Sequence, residues 1–266
     1  MAMVFTPAEV ATFEHDVWSR CAKRYMDGFG LLVSETIVPL LDVVRITAGD
    51  RVLDIGTGPG PVAAAIAARG AVPIGIDFSE TMIEEARRRH PDIDFRQAAG
   101  EALPFEMGQF EAVVGNFVLH HSSDPAKLLE EAFRVLRVGG RIGFTVWADV
   151  TKLEAFGLFF AAMERQGLAG ELPHGPLFGV SDFEVFRGMA RRAGFRDPNV
   201  QELPIYWTMT SIDSLLGAFA DWAHMEALPE NIRAAVEASV RQAAAAYQSA
   251  DKLRIPNPAL LVSAVK

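Results

Sequence analysis

The chain has one cysteine, Cys21, in 266 residues. That excludes an intramolecular disulfide and a thiolate metal cluster. No strand–turn context surrounds Cys21, so it reads as a buried thiol rather than a nucleophile. Positive charge is also scarce. Lys and Arg number 25 against 34 acids, giving a formal net charge of −9 and a pI near 5.2. Phosphate binding relies on clustered Lys and Arg, so no nucleic-acid partner is expected. The densest basic run, Arg87-Arg88-Arg89-His90, ends a predicted helix, where the helix dipole favours positive charge. Long apolar runs are missing: none reaches the roughly 20 residues that span a bilayer. The longest candidate, Val62 to Ile76, is broken by Arg69, Gly70 and Pro73. Residues 1–15 contain Glu9 and Glu14 and lack the basic-then-apolar pattern of a signal peptide. A cytoplasmic protein without a membrane span is expected. His15, His90, His174 and His224 show no His-x3-His spacing or carboxylate pairing, so no metal site is expected either.

What is present is enough for a sizeable core. Half of the residues are hydrophobic, and the length suits one large α/β domain or a domain with a cap. Residues 7–44 read as helical, opened by Thr6 as N-cap and Pro7 in the first turn. Gly28 and Gly30 break that segment before a second helix over Leu31 to Val44. Short apolar runs then recur at Arg51–Ile55, Val72–Ile76, Ile93–Gln97, Ala112–Phe117 and Arg141–Trp147. Helical patterns at Pro61–Arg69, Glu80–His90 and Pro125–Leu136 separate most of them. This alternation predicts a Rossmann-like doubly wound α/β fold with a mostly parallel seven-stranded sheet, a helical N-terminal segment and helical lid insertions. Right-handed crossovers put the strand C-termini on one edge, where ligands bind. Beyond Trp147 we expect a helix over 151–166, a Gly/Pro loop over 167–180, and a helix capped at Ser181-Asp182. A strand over Val200–Thr208, helices over 211–225 and 229–247, and a last strand over Ala259–Val265 follow. The expected divisions are an N-terminal cap (1–44), a cofactor-binding core (45–148), a helical lid (149–198) and a C-terminal completion of the sheet (199–266).

The segment Val52-Leu53-Asp54-Ile55-Gly56-Thr57-Gly58-Pro59-Gly60 joins an apolar strand, an acid and a glycine turn to an alanine-rich helix. Glycines let the backbone turn tightly and approach a ligand closely, and the helix aims free N–H groups at the same space. Asp77, at the end of the next strand, is placed as a ribose-binding carboxylate is in dinucleotide folds. Two cofactor classes compete for this loop. A nicotinamide site wants G-x-G-x-x-G. Here the glycines fall at 56, 58 and 60, and Pro61 follows. Asp54 would repel a pyrophosphate and suits an ammonium- or sulfonium-bearing ligand. A thermal-shift comparison with NAD separates the two.

Four further segments occur downstream in order: Gly75-Ile76-Asp77-Phe78-Ser79, Glu101-Ala102-Leu103-Pro104-Phe105, Phe110 through His121, and Arg134 through Gly140. With the glycine loop, their spacing resembles that of class I S-adenosylmethionine-dependent methyltransferases, in the ubiquinone/menaquinone-biosynthesis-like (type 11) small-molecule group. The resemblance covers about residues 45–148. Trp18 through Tyr25 resembles the W-x3-A-x2-Y pattern ahead of the core in many members. The resemblance implies S-adenosylmethionine as cofactor and S-adenosylhomocysteine as product. It places the Gly56-Thr57-Gly58-Pro59-Gly60 backbone around the methionine part, Asp54 near its amino group and Asp77 on the ribose. Phe78 and Met82 line the adenine, Gly100 and Glu101 flank its edge, Asn116 and Phe117 lie under the sulfonium, and Tyr25 closes the carboxylate end. One position departs from the pattern: Ala99 stands where many members carry an adenine-binding Asp.

The expected partner is a small-molecule methyl acceptor, apolar or aromatic, methylated at O, C or N by a monomer or homodimer. Methyl transfer needs alignment and exclusion of water more than strong protein chemistry, and a base only if the acceptor arrives protonated. His121 and His120, after the fourth core strand, are the candidate bases. Apolar stripes at Phe156, Phe159, Phe160 and Met163, and at Leu215, Leu216, Phe219 and Trp222, suit a core or a lid. Trp147, ending the fifth strand, is a pocket candidate. A third reading keeps the fold and cofactor but uses them for a non-methylating reaction or a binding role.

Overall fold

The computed structural model describes residues 6–168, 179–249 and 251–266. His174 and most of the Gly/Pro loop lie outside them. Helix α1 (Pro7–Cys21) opens with a capping box. Glu9 donates its N–H to Thr6 Oγ1, and Thr6 donates its own N–H to Glu9 Oε2 at 2.7 Å, so two free helix-end donors are satisfied together. The expected second helix is instead two short ones, α2 (Phe29–Ser34) and α3 (Ile37–Val43). The break at Glu35 and Thr36 carries a side-chain role: Thr36 Oγ1 donates to Val33 O and reaches Asn116 across the fold.

The alternating core follows. Strand β1 (Arg51–Ile55) leads to α4 (Pro61–Ala68), β2 (Val72–Asp77) to α5 (Glu80–Arg89), then come β3 (Asp94–Gln97) and β4 (Phe110–Asn116). Helix α6 (Pro125–Val135) leads to β5 (Leu136–Trp147), and α7 (Glu154–Arg165) and α8 (Phe183–Arg192) follow. Ser79, Asp124 and Asp182 cap α5, α6 and α8 through their side-chain oxygens. The chain ends with β6 (Arg196–Leu203), β7 (Tyr206–Met209), α9 (Ile212–Trp222), α10 (Glu230–Ala244), β8 (Gln248–Ser249), β9 (Lys252–Pro256) and β10 (Ala259–Val265).

Seven strands form one sheet in the order β3-β2-β1-β4-β5-β10-β6. The first five are mutually parallel, and β10 runs antiparallel to both β5 and β6. Period-two alternation divides the core. Val52 and Val114 face the layer that holds Leu32, Leu40, Leu41 and Ile66. Leu53, Ile55 and Val113 face the layer that holds Leu128, Leu129, Phe144 and Phe186. The strand order reverses between β1 and β4, which opens the crevice at their C-terminal ends.

The expected single strand over Val200–Thr208 is two strands in different sheets. Pro204 has no N–H for a ladder, and Ile205 donates to Leu203 O at 2.9 Å in a tight turn there. Beyond it β7 pairs with β9, which pairs with β8, in a second, three-stranded antiparallel sheet. That sheet presents Trp207, Leu253 and Ile255 to the helices flanking the crevice. Trp207 is fully buried and donates Nε1–H to Gly28 O at 3.1 Å. No helix of the described residues is long and apolar enough to cross a membrane.

Candidate cofactor and acceptor site

The turn after β1 has an unusual backbone for a reason that can be stated residue by residue. Gly56, Gly58 and Gly60 have φ of +66°, +53° and +89°, values that side-chain-bearing residues rarely adopt. A Cβ on Gly56 would also lie 2.6 Å from Val118 Cγ2, whereas one on Gly58 would meet nothing within 4 Å. Gly56 therefore lets the loop after β4 close against the turn, and Gly58 leaves open space above it. Thr57 anchors the turn from below. Its N–H donates to Ile76 O at 2.9 Å and its hydroxyl to Asp54 Oδ2 at 2.6 Å.

Two carboxylates end β1 and β2. Asp77 Oδ2 accepts from the Gly58 N–H and Oδ1 from the Ser79 N–H, both at 2.9 Å. Burial pushes its pKa up to about 6, against the pull of these donors. Asp54 is wholly buried. Burial pushes it up to about 7, the Thr57 hydroxyl opposing and Asp77 adding to the rise. Its second oxygen, Oδ1, makes no well-formed hydrogen bond, although the Ala63 backbone N–H lies close enough to pull the carboxyl's pKa down. A carboxylate oxygen held in the interior without a well-formed hydrogen bond is costly. Burial, and next the Asp77 charge, push the Tyr25 phenol above its ordinary range, so it remains a donor.

Two adjoining cavities share the walls Gly56, Asp77, Phe78, Val118 and His121. The larger, about 280 Å³, extends along Ala98, Ala99, Gly100 and Glu101 to Ser122 and Leu128. Ala99 is on this wall, so the missing acid is missing from the cavity itself. Glu101 is the carboxylate of that segment, and Ser122 and Ser123 donate their hydroxyls to its Oε1 at 2.5 and 3.4 Å. The smaller cavity, about 70 Å³, is apolar and aromatic. Tyr25, Met82, Asn116 and Phe117 line it. Trp147 and Phe156 bound it with Trp222, so both stripes reach it as well as building core. Behind them Phe159 and Phe219 stack at 4.4 Å with rings 6° apart. Phe117 holds a left-handed φ of +58°, fixed by its N–H to Thr145 and by its ring 4.1 Å from Trp147.

Eleven expected site residues thus meet on these walls: Tyr25, Gly56, Gly58, Asp77, Phe78 and Met82 on one side, and Gly100, Glu101, Asn116, Phe117 and His121 on the other. Asp54, Thr57 and Gly60 sit behind the turn rather than on the walls. His120 is fully buried against Phe117, His121 and Trp147. Asn116 uses its amide on the fold: Nδ2–H donates to Val33 O at 2.9 Å, and Oδ1 accepts from Thr36 and Thr145. Cys21 is buried, and burial first of all pushes its thiol up to about 12, so no thiolate forms there.

Sequence reasoning missed the part that α1 plays in the walls. Ala11 and Glu14 line the larger cavity, and Trp18 lines the smaller. Helical spacing places all three on one face, but nothing in the sequence says which surface that face covers. Ser19 Oγ lies 3.2 Å from Ser79 Oγ, and the His15 and Phe78 rings are 5.9 Å apart, so α1 lies across the start of α5.

The fold is a Rossmann-like α/β fold with its crevice at the β1–β4 switch point, and residues 53–144 match the family model described as a methyltransferase domain. That segment is similar to the methyltransferase domains of ubiquinone- and menaquinone-biosynthesis enzymes. Over 102 residues, 37% of the chain, it is 44% identical to demethylmenaquinone methyltransferase of Clavibacter sepedonicus, covering 42% of that protein. Over 148 residues, 52% of the chain, it is 33% identical to ubiquinone biosynthesis O-methyltransferase of Pseudomonas entomophila, covering 62% of it. The chain thus spans less than two thirds of these relatives' own length. The solved YcgJ protein of Bacillus subtilis shares the fold at a TM-score of 0.61 and 18% identity, over 87% of this chain and 98% of that one.

Proposed function

We propose that this chain is an S-adenosylmethionine-dependent methyltransferase acting on a small, apolar or aromatic acceptor. The observation that carries the reading is the pair of buried carboxylates at the glycine turn. Asp54, buried behind the turn, places negative charge beneath the glycine backbone, which favours an ammonium above it. Asp77 is held by two backbone donors in a pose that leaves lone pairs for ribose hydroxyls. The larger cavity then takes the adenosine end, with Phe78 at its wall and Gly100 and Glu101 at its edge. When bound, the cofactor supplies a methyl group activated by positive sulfur.

The chain's own part is placement and exclusion of water. Phe117, Trp147, Phe156 and Trp222 give the smaller cavity walls that accept an apolar ring and shed water. At about 70 Å³ that cavity is well below the roughly 300 Å³ of ordinary ligand pockets, so acceptor entry requires its aromatic walls to part. Of the two candidate bases, His121 lines both cavities and His120 neither. We therefore assign any base role to His121 and a packing role to His120. The enzyme is read as cytoplasmic, working as a monomer or homodimer. Titration calorimetry with S-adenosylhomocysteine tests the cofactor, and labelled-methyl transfer to a panel of small acceptors tests the reaction. Binding without any labelled product would favour the non-methylating alternative.

A further inference from the structure

Glu14 is a buried carboxylate, 2% exposed, carried by α1 onto the wall of the larger cavity. Its Oε2 accepts the Trp18 Nε1–H at 3.0 Å and lies 2.9 Å from His121 Nδ1. The Trp18 and His121 rings meet edge to face at 4.8 Å. Three side chains from two distant segments therefore converge at the junction of the two cavities. The His121 approach is close, but its angle falls short of a hydrogen bond's. Catalytic hydrogen bonds commonly tighten only once ligands are bound.

The contact restricts where the imidazole proton can reside. A neutral imidazole with an unprotonated Nδ1 only 2.9 Å from a carboxylate oxygen would set two electron-rich atoms against each other. With the proton on Nδ1 the same contact is attractive. Nε2 is then the ring nitrogen with a free lone pair, on a residue that lines both cavities.

We propose that Glu14 is a positioning residue that holds His121 in the Nδ1–H tautomer and makes Nε2 the base for an acceptor that arrives protonated, a hydroxyl on an apolar ring. The inference rests on the methyltransferase reading. The acceptor O–H bond breaks and its proton goes to Nε2. The electron pair left on oxygen forms the bond to the methyl carbon as the carbon–sulfur bond breaks. The imidazolium so formed sits beside the Glu14 carboxylate, which stabilises it as the triad carboxylate does in serine proteases.

Two readouts test this, one of which needs no turnover. In mildly alkaline buffer, long-range proton–nitrogen correlation spectra of histidine-labelled protein report the His121 tautomer. Wild type and Glu14→Asp are expected to show Nδ1–H. Glu14→Gln, whose amide N–H can face Nδ1, is expected to shift His121 toward Nε2–H. A wild-type Nε2–H tautomer, or a Glu14→Gln spectrum identical to wild type, overturns the proposal. With S-adenosylmethionine and catechol as the probe acceptor, Glu14→Gln is expected to lose on the order of 100-fold in kcat, as removal of a base does. An unchanged kcat also overturns it. If S-adenosylhomocysteine does not bind wild type, the methyltransferase reading fails, whereas the tautomer reports on Glu14 alone.

Discussion

Gly58 donates its backbone N–H to Asp77 Oδ2 at 2.9 Å, tying the turn after β1 to the acid that ends β2. The two halves of the candidate cofactor site thus hold each other in place before any ligand arrives. Asp77→Ala removes both this acceptor and the one for Ser79. It is expected to weaken S-adenosylhomocysteine binding by at least tenfold, given about 1.5–3 kcal/mol per charge-assisted hydrogen bond. Asp77→Asn keeps a neutral acceptor and should lose less. Calorimetry on the three proteins checks the order.

The glycines of the turn separate by crowding rather than by backbone angle. Gly56→Ala places a methyl 2.6 Å from Val118 Cγ2, on a loop that must close there. It is expected to abolish measurable cofactor binding. Gly58→Ala meets open space and incurs only the left-handed backbone cost, roughly 1–2 kcal/mol. Val118→Ala should restore part of the binding lost in Gly56→Ala and none of that lost in Gly58→Ala. Equal effects of the two glycine substitutions would contradict this account of the turn.

Asp54 gives a pH dependence whose sign can be worked out. Burial raises its pKa from 3.8 to about 7 in the folded chain. Between those values the native state binds the more protons, so its contribution to stability is present at low pH and is lost as pH rises through about 7. Thermal melts from about pH 5 to about pH 7.5 should fall more steeply for wild type than for Asp54→Asn. A cationic group beside Asp54 favours the ionised form, so cofactor binding near pH 6 should release protons, seen as binding enthalpies that differ between buffers. Identical enthalpies in phosphate and Bis-Tris would argue against the Asp54 role.

Much of this was legible from residues alone. Five strands, the crevice-bearing edge and the two acids follow from apolar periodicity and glycine placement, which are local signals. The second sheet was not legible, because Val200–Thr208 is uniformly strand-forming and only Pro204 marks the change of partner. Glu14 was hidden for another reason. On α1 it looks like any helix-surface acid, and its meaning comes from docking against His121, a contact no local pattern encodes. His120 and His121 are adjacent and chemically equal in sequence, yet only His121 lines the cavities.

Asn116 ties β4 to the α2–α3 break and to β5 through three hydrogen bonds. Asn116→Ala removes all three bonds and leaves the Thr145 hydroxyl without its acceptor, while Thr36 keeps Val33 O. It should cost about 1–3 kcal/mol, read as a lower urea midpoint with an unchanged slope. A midpoint equal to wild type would show that the network does not brace the cavity floor.

The most direct measurement is calorimetric titration of the purified chain with S-adenosylhomocysteine, alongside NAD. The account predicts saturable one-to-one binding of S-adenosylhomocysteine, lost in Gly56→Ala, and no heat with NAD. Binding of NAD, or no binding of S-adenosylhomocysteine to a folded chain, would contradict it.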